Sequence, residues 1–247
     1  MNLPRSRRDC RPLMGLARAH KRWQLSLAVA TSVALITSCS STASPRSDAS
    51  SQVSGLLGGL TTISKDGSTL VVGDLKARNA VRIYEDPRCP FCARFEKAAG
   101  PVLSQLASEG TLKIEYVIAS FLDLRLGGTG SAEAANAMRA TVDAGKFPEY
   151  HQALFRHQMN EVVDGYKPSF LIQIASTVPG LRSPGFDRAV RHMTYRTWVD
   201  RAQLNYQSHA HGTPSVLING QAITVDAEHG MYEPDGVAMA LRRAGVH

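Results

Sequence analysis

Cysteine is scarce in this chain, with only Cys10, Cys39, Cys89 and Cys92 among 247 residues. A fold held together by many disulfides is therefore excluded, and the core must be an ordinary hydrophobic one. A long apolar run is lacking as well, since the stretch from Trp23 to Ile36 is shorter than the roughly 20 residues of a membrane-spanning helix. The chain length suits one large domain or two small ones.

Excess positive charge is absent from most of the chain, although the whole carries a net charge of +7. Residues 1 to 38 contain seven Lys or Arg and one acid, Asp9. Subtracting these from 28 basic and 21 acidic residues leaves 21 and 20, a net charge of +1 for positions 39 to 247. The basic character belongs to the N-terminal segment, so nucleic acid is not predicted as a partner.

The N-terminal segment has the parts of a bacterial export signal. A basic stretch ends at "HKRW", an apolar run follows, and "LITSC", Leu35 to Cys39, resembles a lipoprotein box. This resemblance implies a lipoprotein signal peptide over residues 1 to 38, lipidation of Cys39 and a flexible Ser-rich tether over residues 39 to 55. A plain secretory leader with an incidental cysteine is the alternative, and Met14 is a second candidate for the start of translation.

Export leaves one cysteine pair in the mature protein. Cys10 is removed with the leader and Cys39 carries lipid, so Cys89 and Cys92 are the two free thiols. The predicted location is the cell envelope, on the extracytoplasmic face of the membrane and anchored by the lipid. Because the core does not need this pair as a staple, the pair is available for chemistry.

Hydrophobic patterning predicts an α/β domain over residues 56 to 247. "LTTIS" and "STLVVG" predict a hairpin, Ala80 to Asp86 a buried strand, and Thr111 to Ser120 a second strand. Between these strands we expect a helix from about Pro90 to Ala107. Its predicted apolar face consists of Phe91, Phe95, Ala98, Val102 and Leu106.

In the second half of the domain, the sequence predicts helices first and strands later. Residues from about 121 to 210 contain helical patterns separated by Gly or Pro, including one long pattern over residues 184 to 210. "GTPSVLINGQAITV" predicts two strands around Asn219-Gly220, and Pro234 to Ala244 predicts a last helix. The order βαβ, helical block, ββα is that of a thioredoxin fold with an all-helical insertion.

The stretch "EDPRCPFCARFE", residues 85 to 96, places the two cysteines at the predicted start of a helix. Backbone N–H groups and the helix dipole at that position favour a thiolate on Cys89. Cys92, one turn further, would be shielded and would resolve a mixed disulfide. A zinc site is one alternative, disfavoured because no second CxxC supplies ligands. A structural disulfide is the other, disfavoured because staples usually join distant segments.

Three stretches and the element order resemble the DsbA-like thiol–disulfide oxidoreductases of bacterial envelopes. The stretches are "EDPRCPFCARFE", "AGKFPEYHQALFRHQ" and "HGTPSVLINGQ", and the similarity covers about Asn79 to Gly245. The resemblance implies that Pro214 is cis, faces the cysteine pair and acts with it in catalysis. It also implies that Thr213, Phe91 and Pro90 contact the substrate.

The chain departs from the resembled family at the position of a buried acid. The family often carries this acid six residues before the first cysteine, where it exchanges protons with the second cysteine. Ile83 stands there in this chain, so Glu85 and Asp86 are the candidates for proton transfer. For Asp86 the alternative role is to cap a turn.

Other neighbours of the motif bear on its strength and direction. Phe91 replaces the histidine of the family's strongest oxidants, which implies a milder oxidant. Thr213 before the proline is a pairing more typical of isomerase relatives, so the direction of electron flow stays open. Arg88 and Arg94 could support a thiolate, but we expect both to be solvated.

The sequence therefore predicts an extracytoplasmic thiol–disulfide oxidoreductase that acts on cysteines of exported proteins through a CPFC pair and a mixed disulfide. We expect a monomer that is recycled by a membrane redox partner and needs neither a metal nor another bound cofactor. One alternative is a thioredoxin-fold reductant or isomerase, for example in cytochrome maturation. Another is a non-catalytic peptide-binding protein on the same fold.

Overall fold

The computed structural model describes residues 60–223 and 230–247, together with Val53, Leu56 and Leu57. The predicted signal peptide, the predicted lipidation site Cys39 and all of the predicted tether except Val53 lie outside the described residues. Within the described residues, no helix combines the length and the apolar character that a bilayer crossing requires.

In the described part of the chain, six strands form one mixed sheet in the order β1-β2-β4-β3-β5-β6. Neighbouring strands are antiparallel except β3 and β4, which are parallel. The strands are β1 (Thr61–Ile63), β2 (Leu70–Val72), β3 (Asn79–Glu85), β4 (Leu112–Ile118), β5 (Ser215–Ile218) and β6 (Gln221–Ala222).

The helices fall into two groups by their place along the chain. Helix α1 (Pro90–Ser108) joins β3 to β4, and α8 (Pro234–Arg243) follows β6. Between β4 and β5 lie α2 (Phe121–Leu126), α3 (Gly130–Val142), α4 (Phe147–Arg156), α5 (Pro168–Ala175), α6 (Pro184–Arg191) and α7 (Arg196–His209). The units β3–α1–β4 and β5–β6–α8 confirm the predicted thioredoxin fold, and α2 to α7 confirm its all-helical insertion.

Alternation along β3 decides which side chains lie under the cysteine helix. Val81 and Ile83 point to the face that α1 covers, and Phe95 of α1 belongs to the same core. Tyr84 points the other way and packs against Tyr206 of α7. Glu85 has the parity of Ile83, so its buried side chain lies on the α1 face, beneath the cysteine pair.

The apolar face predicted for α1 is wrong in part. Phe95 and Ala98 are buried, but Phe91 is 50% exposed and Val102 and Leu106 are only half-buried. The buried stripe runs instead through Cys92, Phe95, Ala99, Leu103 and Ala107. Alanines occupy the buried side because α1 contacts β4, α4 and α8 together, and small residues allow these elements to approach closely.

The long helix predicted over residues 184 to 210 is interrupted. Helix α6 ends at Arg191 and α7 begins at Arg196, with Met193 in the left-handed region at φ 50°. The buried side chain of Asn136 explains the break, because it satisfies backbone groups on both sides of it. Its amide donates to the Ala189 carbonyl at 3.1 Å and accepts from the Tyr195 N–H at 2.9 Å.

Candidate active site

The cysteine pair lies where strand β3 passes into helix α1, as the sequence predicts. A turn closes between them through a hydrogen bond from the Cys89 N–H to the Asp86 carbonyl at 2.9 Å. Cys89 is the N-cap residue of α1 and Pro90 occupies its first turn, where a missing N–H costs nothing. Both cysteines are free thiols and both are buried, with Cys89 5% and Cys92 0% exposed.

The loop before β5 lies against the first cysteine. The Thr213–Pro214 peptide bond is cis, as predicted. The Cys89 thiol donates to the Thr213 carbonyl at 3.3 Å, so two segments 124 residues apart meet at one sulfur atom. The structure thus brings together Cys89, Thr213 and Pro214, which the sequence had placed in one site.

The environment of Cys89 favours its thiolate. A hydrogen bond from the Cys92 thiol is the main reason why the pKa of Cys89 falls to about 6 from its ordinary value of 9.0. Burial opposes this shift, while the backbone N–H groups of Phe91 and Cys92 reinforce it. A thiol with this pKa is largely ionised at neutral pH, and the thiolate is the form that attacks disulfides.

This shift predicts the pH profile of Cys89 alkylation. In the dithiol protein, the rate of reaction with iodoacetamide should rise with pH through a midpoint near 6 and then level off. Mass spectrometry of the alkylated protein should place the label on Cys89. A midpoint near the ordinary pKa of 9.0, or first labelling of Cys92, would contradict this assignment.

Cys92 has the opposite character. Burial raises its pKa well above the ordinary value, and the hydrogen bond to Cys89 and the negative charges of Cys89 and Glu85 raise it further. The second thiol is therefore protonated in the dithiol form. It needs a partner that exchanges a proton with it each time that the disulfide opens or closes.

Glu85 has the properties of that partner. Its side chain is fully buried, and desolvation raises its pKa well above the ordinary value, with the nearby Cys89 and Asp86 charges adding to the effect. It also lies on the sheet face that α1 covers. The resembled family often carries a buried acid at the position of Ile83. In this chain Glu85 provides a buried acid two residues later, on the same face of the strand.

Asp86 has different contacts, and these stabilise the turn that precedes Cys89. Its carboxylate accepts hydrogen bonds from the N–H of Arg88 at 2.9 Å, the N–H of Leu122 at 3.1 Å and the hydroxyl of Ser131 at 2.7 Å. Burial raises its pKa to about 7 against the effect of these bonds. Of the two roles considered for Asp86, these contacts support the one of capping a turn. Two of them also join the turn to the helical insertion, at Leu122 and Ser131.

The expectation that Arg88 is solvated is wrong. Its side chain is 1% exposed, and its guanidinium donates to the Glu161 carbonyl at 2.7 and 3.0 Å and to the Gly127 carbonyl at 2.8 Å. It also forms an ion pair with Asp123 at 2.9 Å. Three acceptors from the insertion surround the group, which compensates for its loss of water.

Arg94 is exposed as expected, and it takes part in the surface beside the cysteines. Its guanidinium lies 4.5 Å from the ring centre of Tyr232. The same ring lies 6.1 Å from that of Phe91, centre to centre. Phe91 and Tyr232 therefore form an aromatic rim next to Cys89, consistent with the predicted substrate contact of Phe91.

Two residues of the helical insertion form hydrogen bonds with the backbone of the cysteine motif, and the sequence did not predict either of them. The side-chain amide of Gln158 donates to the Pro87 carbonyl at 2.8 Å and to the Cys89 carbonyl at 2.9 Å. The Tyr166 hydroxyl donates to the Pro87 carbonyl at 3.1 Å. Gln158 lies at the end of "AGKFPEYHQALFRHQ", so the resemblance marked the segment without marking the residue.

A third missed feature is a buried cluster beneath the cysteines. Glu85 of β3, Glu96 of α1 and His151 of α4 bring one potential metal-ligand atom each to within 4.8 Å of one another. His151 had been assigned no role. Among the described residues this cluster is the place where a metal could be held, whereas the sequence predicts no metal.

The comparisons with known proteins agree with the fold. A family model described as thioredoxin matches residues 65–233. No match was found among curated proteins. The fold is similar to that of BdbD from Bacillus subtilis, with 21% identity, a TM-score of 0.60 and coverage of 74% of this chain and 95% of that one.

Two further solved structures show the same fold. MdbA, a thiol-disulfide oxidoreductase from Corynebacterium diphtheriae, is 19% identical at a TM-score of 0.59, covering 73% of this chain and 93% of that one. DsbG, a disulfide bond oxidoreductase from Mycobacterium tuberculosis, is 22% identical at 0.56, covering 79% and 94%. The DsbA-like resemblance is confirmed in the fold, and since the family model spans most of the chain, the protein belongs to the thioredoxin family.

Proposed function

We propose that the protein is a thiol–disulfide oxidoreductase of the DsbA type that acts on exported proteins. The observation that carries the proposal is the pairing of two unlike thiols. Cys89 has a lowered pKa and lies against the Thr213–Pro214 loop, whereas Cys92 is fully buried and protonated. This division of roles suits attack at one sulfur and resolution by the other.

In the oxidising direction, a client thiolate attacks the Sγ of Cys89 in the Cys89–Cys92 disulfide. The bond between the two cysteines breaks, and Cys92 leaves as a thiolate that takes a proton from Glu85. A second client thiolate then attacks the client sulfur of the mixed disulfide and releases the Cys89 thiolate. The client loses two electrons and the cysteine pair gains two.

The client would bind over the apolar surface around Cys89. Phe91 is half exposed. The parts of the insertion that Arg88 contacts, helix α2 and the loop around Glu161, carry further exposed apolar side chains, namely Leu124, Leu126, Val162 and Val163. The backbone of Thr213 offers a hydrogen-bonding edge for an extended peptide. Such a surface suits unfolded client segments better than one folded epitope.

Location and recycling complete the proposal. The leader and the lipoprotein box support a lipid-anchored protein on the extracytoplasmic face of the membrane, where disulfides persist. A membrane redox partner would return the dithiol form to the disulfide. The same residues operate in reverse as a reductase or isomerase, and we propose a monomer because residues 40 to 78 are short and Ser-rich for a dimerisation domain.

Oxidation of a peptide with two cysteines tests the proposed activity. The pre-oxidised wild-type protein should transfer its disulfide to the peptide in a one-to-one ratio, because client electrons pass to the pair. A Cys89→Ser variant should transfer none. If Cys89→Ser retains the biological activity of the wild type, the protein is a peptide-binding module and not an oxidoreductase.

A further inference from the structure

A histidine of the insertion lies between two buried acids beneath the cysteine pair. The Nε2 atom of His151 is 2.5 Å from Oε1 of Glu85, and its Nδ1 atom is 3.8 Å from Oε2 of Glu96. All three side chains are at least nine-tenths buried. Each acid also has one oxygen without a hydrogen-bond partner among the described residues, Oε2 of Glu85 and Oε1 of Glu96.

The orientation of the imidazole ring distinguishes between two uses of this cluster. A metal site would direct one ring nitrogen and both carboxylates towards a common point. Here the two nitrogens face different acids, which is the arrangement that moves a proton across the ring. An imidazole can accept a proton at one nitrogen and release one from the other.

A cavity provides the outer end of such a path. It measures about 450 Å³ and is lined by Glu96 and His151, while Glu85 does not reach it. Its walls also include Tyr116, Phe147 and Phe155, so part of its lining is aromatic. A proton on the fully buried Glu85 therefore has a route to the cavity through His151.

We infer that His151 and Glu96 form a proton relay that connects Glu85, and through it Cys92, with this cavity. The inference rests on the proposed function, since a relay has a use only if Cys92 gains and loses a proton in turnover. When Cys92 attacks a mixed disulfide, the protonated Glu85 gives its own proton to Nε2 of His151 and accepts the proton of Cys92. His151 releases its Nδ1 proton to Glu96 as Glu96 gives its proton to the cavity, so one proton leaves Cys92 and one reaches the cavity. When the disulfide is opened by a client, the proton travels the other way. His151 acts through Glu85 and is a positioning residue for proton transfer.

The ionisation of the cluster agrees with this exchange, because each of the three groups begins with one proton to pass on. Burial raises the pKa of Glu96 to about 8, although the neighbouring His151 lowers it. Burial lowers the pKa of His151, so the ring is neutral at neutral pH. The relay thus holds an acid, a neutral imidazole and a second acid, without a lasting buried charge. The other ionisable groups around the cluster are Asp86 directly after β3, Cys89 at the N-cap of α1, Cys92 within α1, Tyr116 of β4, and Arg94, Lys97 and Arg156 at the cavity.

A chromogenic disulfide reagent makes the reactions of the two cysteines visible as two successive phases. With dithiobis(nitrobenzoate), the Cys89 thiolate releases one nitrothiobenzoate and forms a mixed disulfide. Cys92 then attacks the Cys89 sulfur, loses its proton and releases a second one. In a His151→Gln variant the first phase should keep its rate. The second should slow roughly tenfold or more and gain a steeper dependence on pH, because solvent must then take the proton.

Chemical rescue and a matched substitution define the role of the ring. In His151→Ala, added imidazole should accelerate the second phase through the cavity, an effect that lost packing cannot produce. Glu96→Gln should slow the same phase, which keeps a test available if the histidine variants do not fold. His192→Gln, at the exposed histidine that directly follows α6, should leave both phases unchanged.

Three results would overturn the relay. One is a folded His151→Gln variant with a wild-type second phase. Another is one equivalent of tightly bound zinc in the wild type whose removal abolishes the difference between wild type and variant, because the cluster then chelates. The third is a wild type that releases no second nitrothiobenzoate, which refutes the proposed function itself and with it the relay.

Discussion

A Cys92→Ser variant should accumulate as a covalent complex with its clients. Cys89 can still attack a client disulfide, but without the second thiol nothing inside the protein breaks the mixed disulfide. Non-reducing electrophoresis should show the complex as the major species, and dithiothreitol should reduce the mixed disulfide and release the client. Mass spectrometry should place the client cysteine on Cys89. The expected change is all-or-none, because resolution depends on one sulfur atom.

Serine is the informative replacement because its hydroxyl can still donate to the Cys89 sulfur. That hydrogen bond is the main cause of the lowered Cys89 pKa. Cys92→Ala removes the donor, so it should raise the pKa of Cys89 and form the complex more slowly at pH 6 to 7. Cys89→Ser should form no complex. A Cys92→Ser protein that releases clients as fast as the wild type would contradict the assignment of Cys92 as the resolving thiol.

An Arg88→Ala substitution should destabilise the protein more than any exchange on its surface. The guanidinium is 1% exposed and joins the cysteine turn to two insertion loops and to Asp123. Breaking a buried ion pair by removing one partner typically costs about 3 to 5 kcal/mol. Urea denaturation should show a loss of free energy of unfolding in that range. Helix α2, which carries Leu124, and the loop that carries Val162 should also become more mobile.

Two further variants give this prediction its controls. Arg88→Lys keeps the charge but cannot match the forked donors of the guanidinium, so its stability should lie between those of wild type and Arg88→Ala. Arg94→Ala removes an exposed arginine with one aromatic contact, and should cost only about 0.5 to 1 kcal/mol. If Arg88→Ala and Arg94→Ala prove equally stable, the buried network around Arg88 does not support the turn.

The sequence predicts those features that are decided within a short stretch of chain. Pro90 starts α1 beside Cys89 because proline is tolerated in the first turn, and Asn219-Gly220 forms the β5–β6 turn with both φ angles positive. Pro214 was also placed correctly, but there the resemblance to a family supplied the prediction. Local backbone preferences alone would not have brought it to Cys89.

The rest depends on partners that are distant in the chain. Arginine is a residue type that usually lies at the surface. The burial of Arg88 is possible only because carbonyl groups 39 and 73 residues away accept its hydrogen bonds. His151 lies 66 residues from Glu85, and helical periodicity gives no sign that its ring will meet that acid. Ile83 stands where the resembled family often carries a buried acid, which left Glu85 and Asp86 as candidates for proton transfer. The pleat of β3 favours Glu85, because that residue returns to the face of the strand on which Ile83 lies.

A redox titration of the cysteine pair tests the central claim most directly. The wild-type protein, equilibrated in glutathione or dithiothreitol buffers, should show one reversible two-electron transition between dithiol and Cys89–Cys92 disulfide. A potential near −120 mV indicates an oxidant and one near about −270 mV a reductant, and either value fits the proposed exchange chemistry. A pair that stays reduced, or stays oxidised, across all buffers would contradict the account.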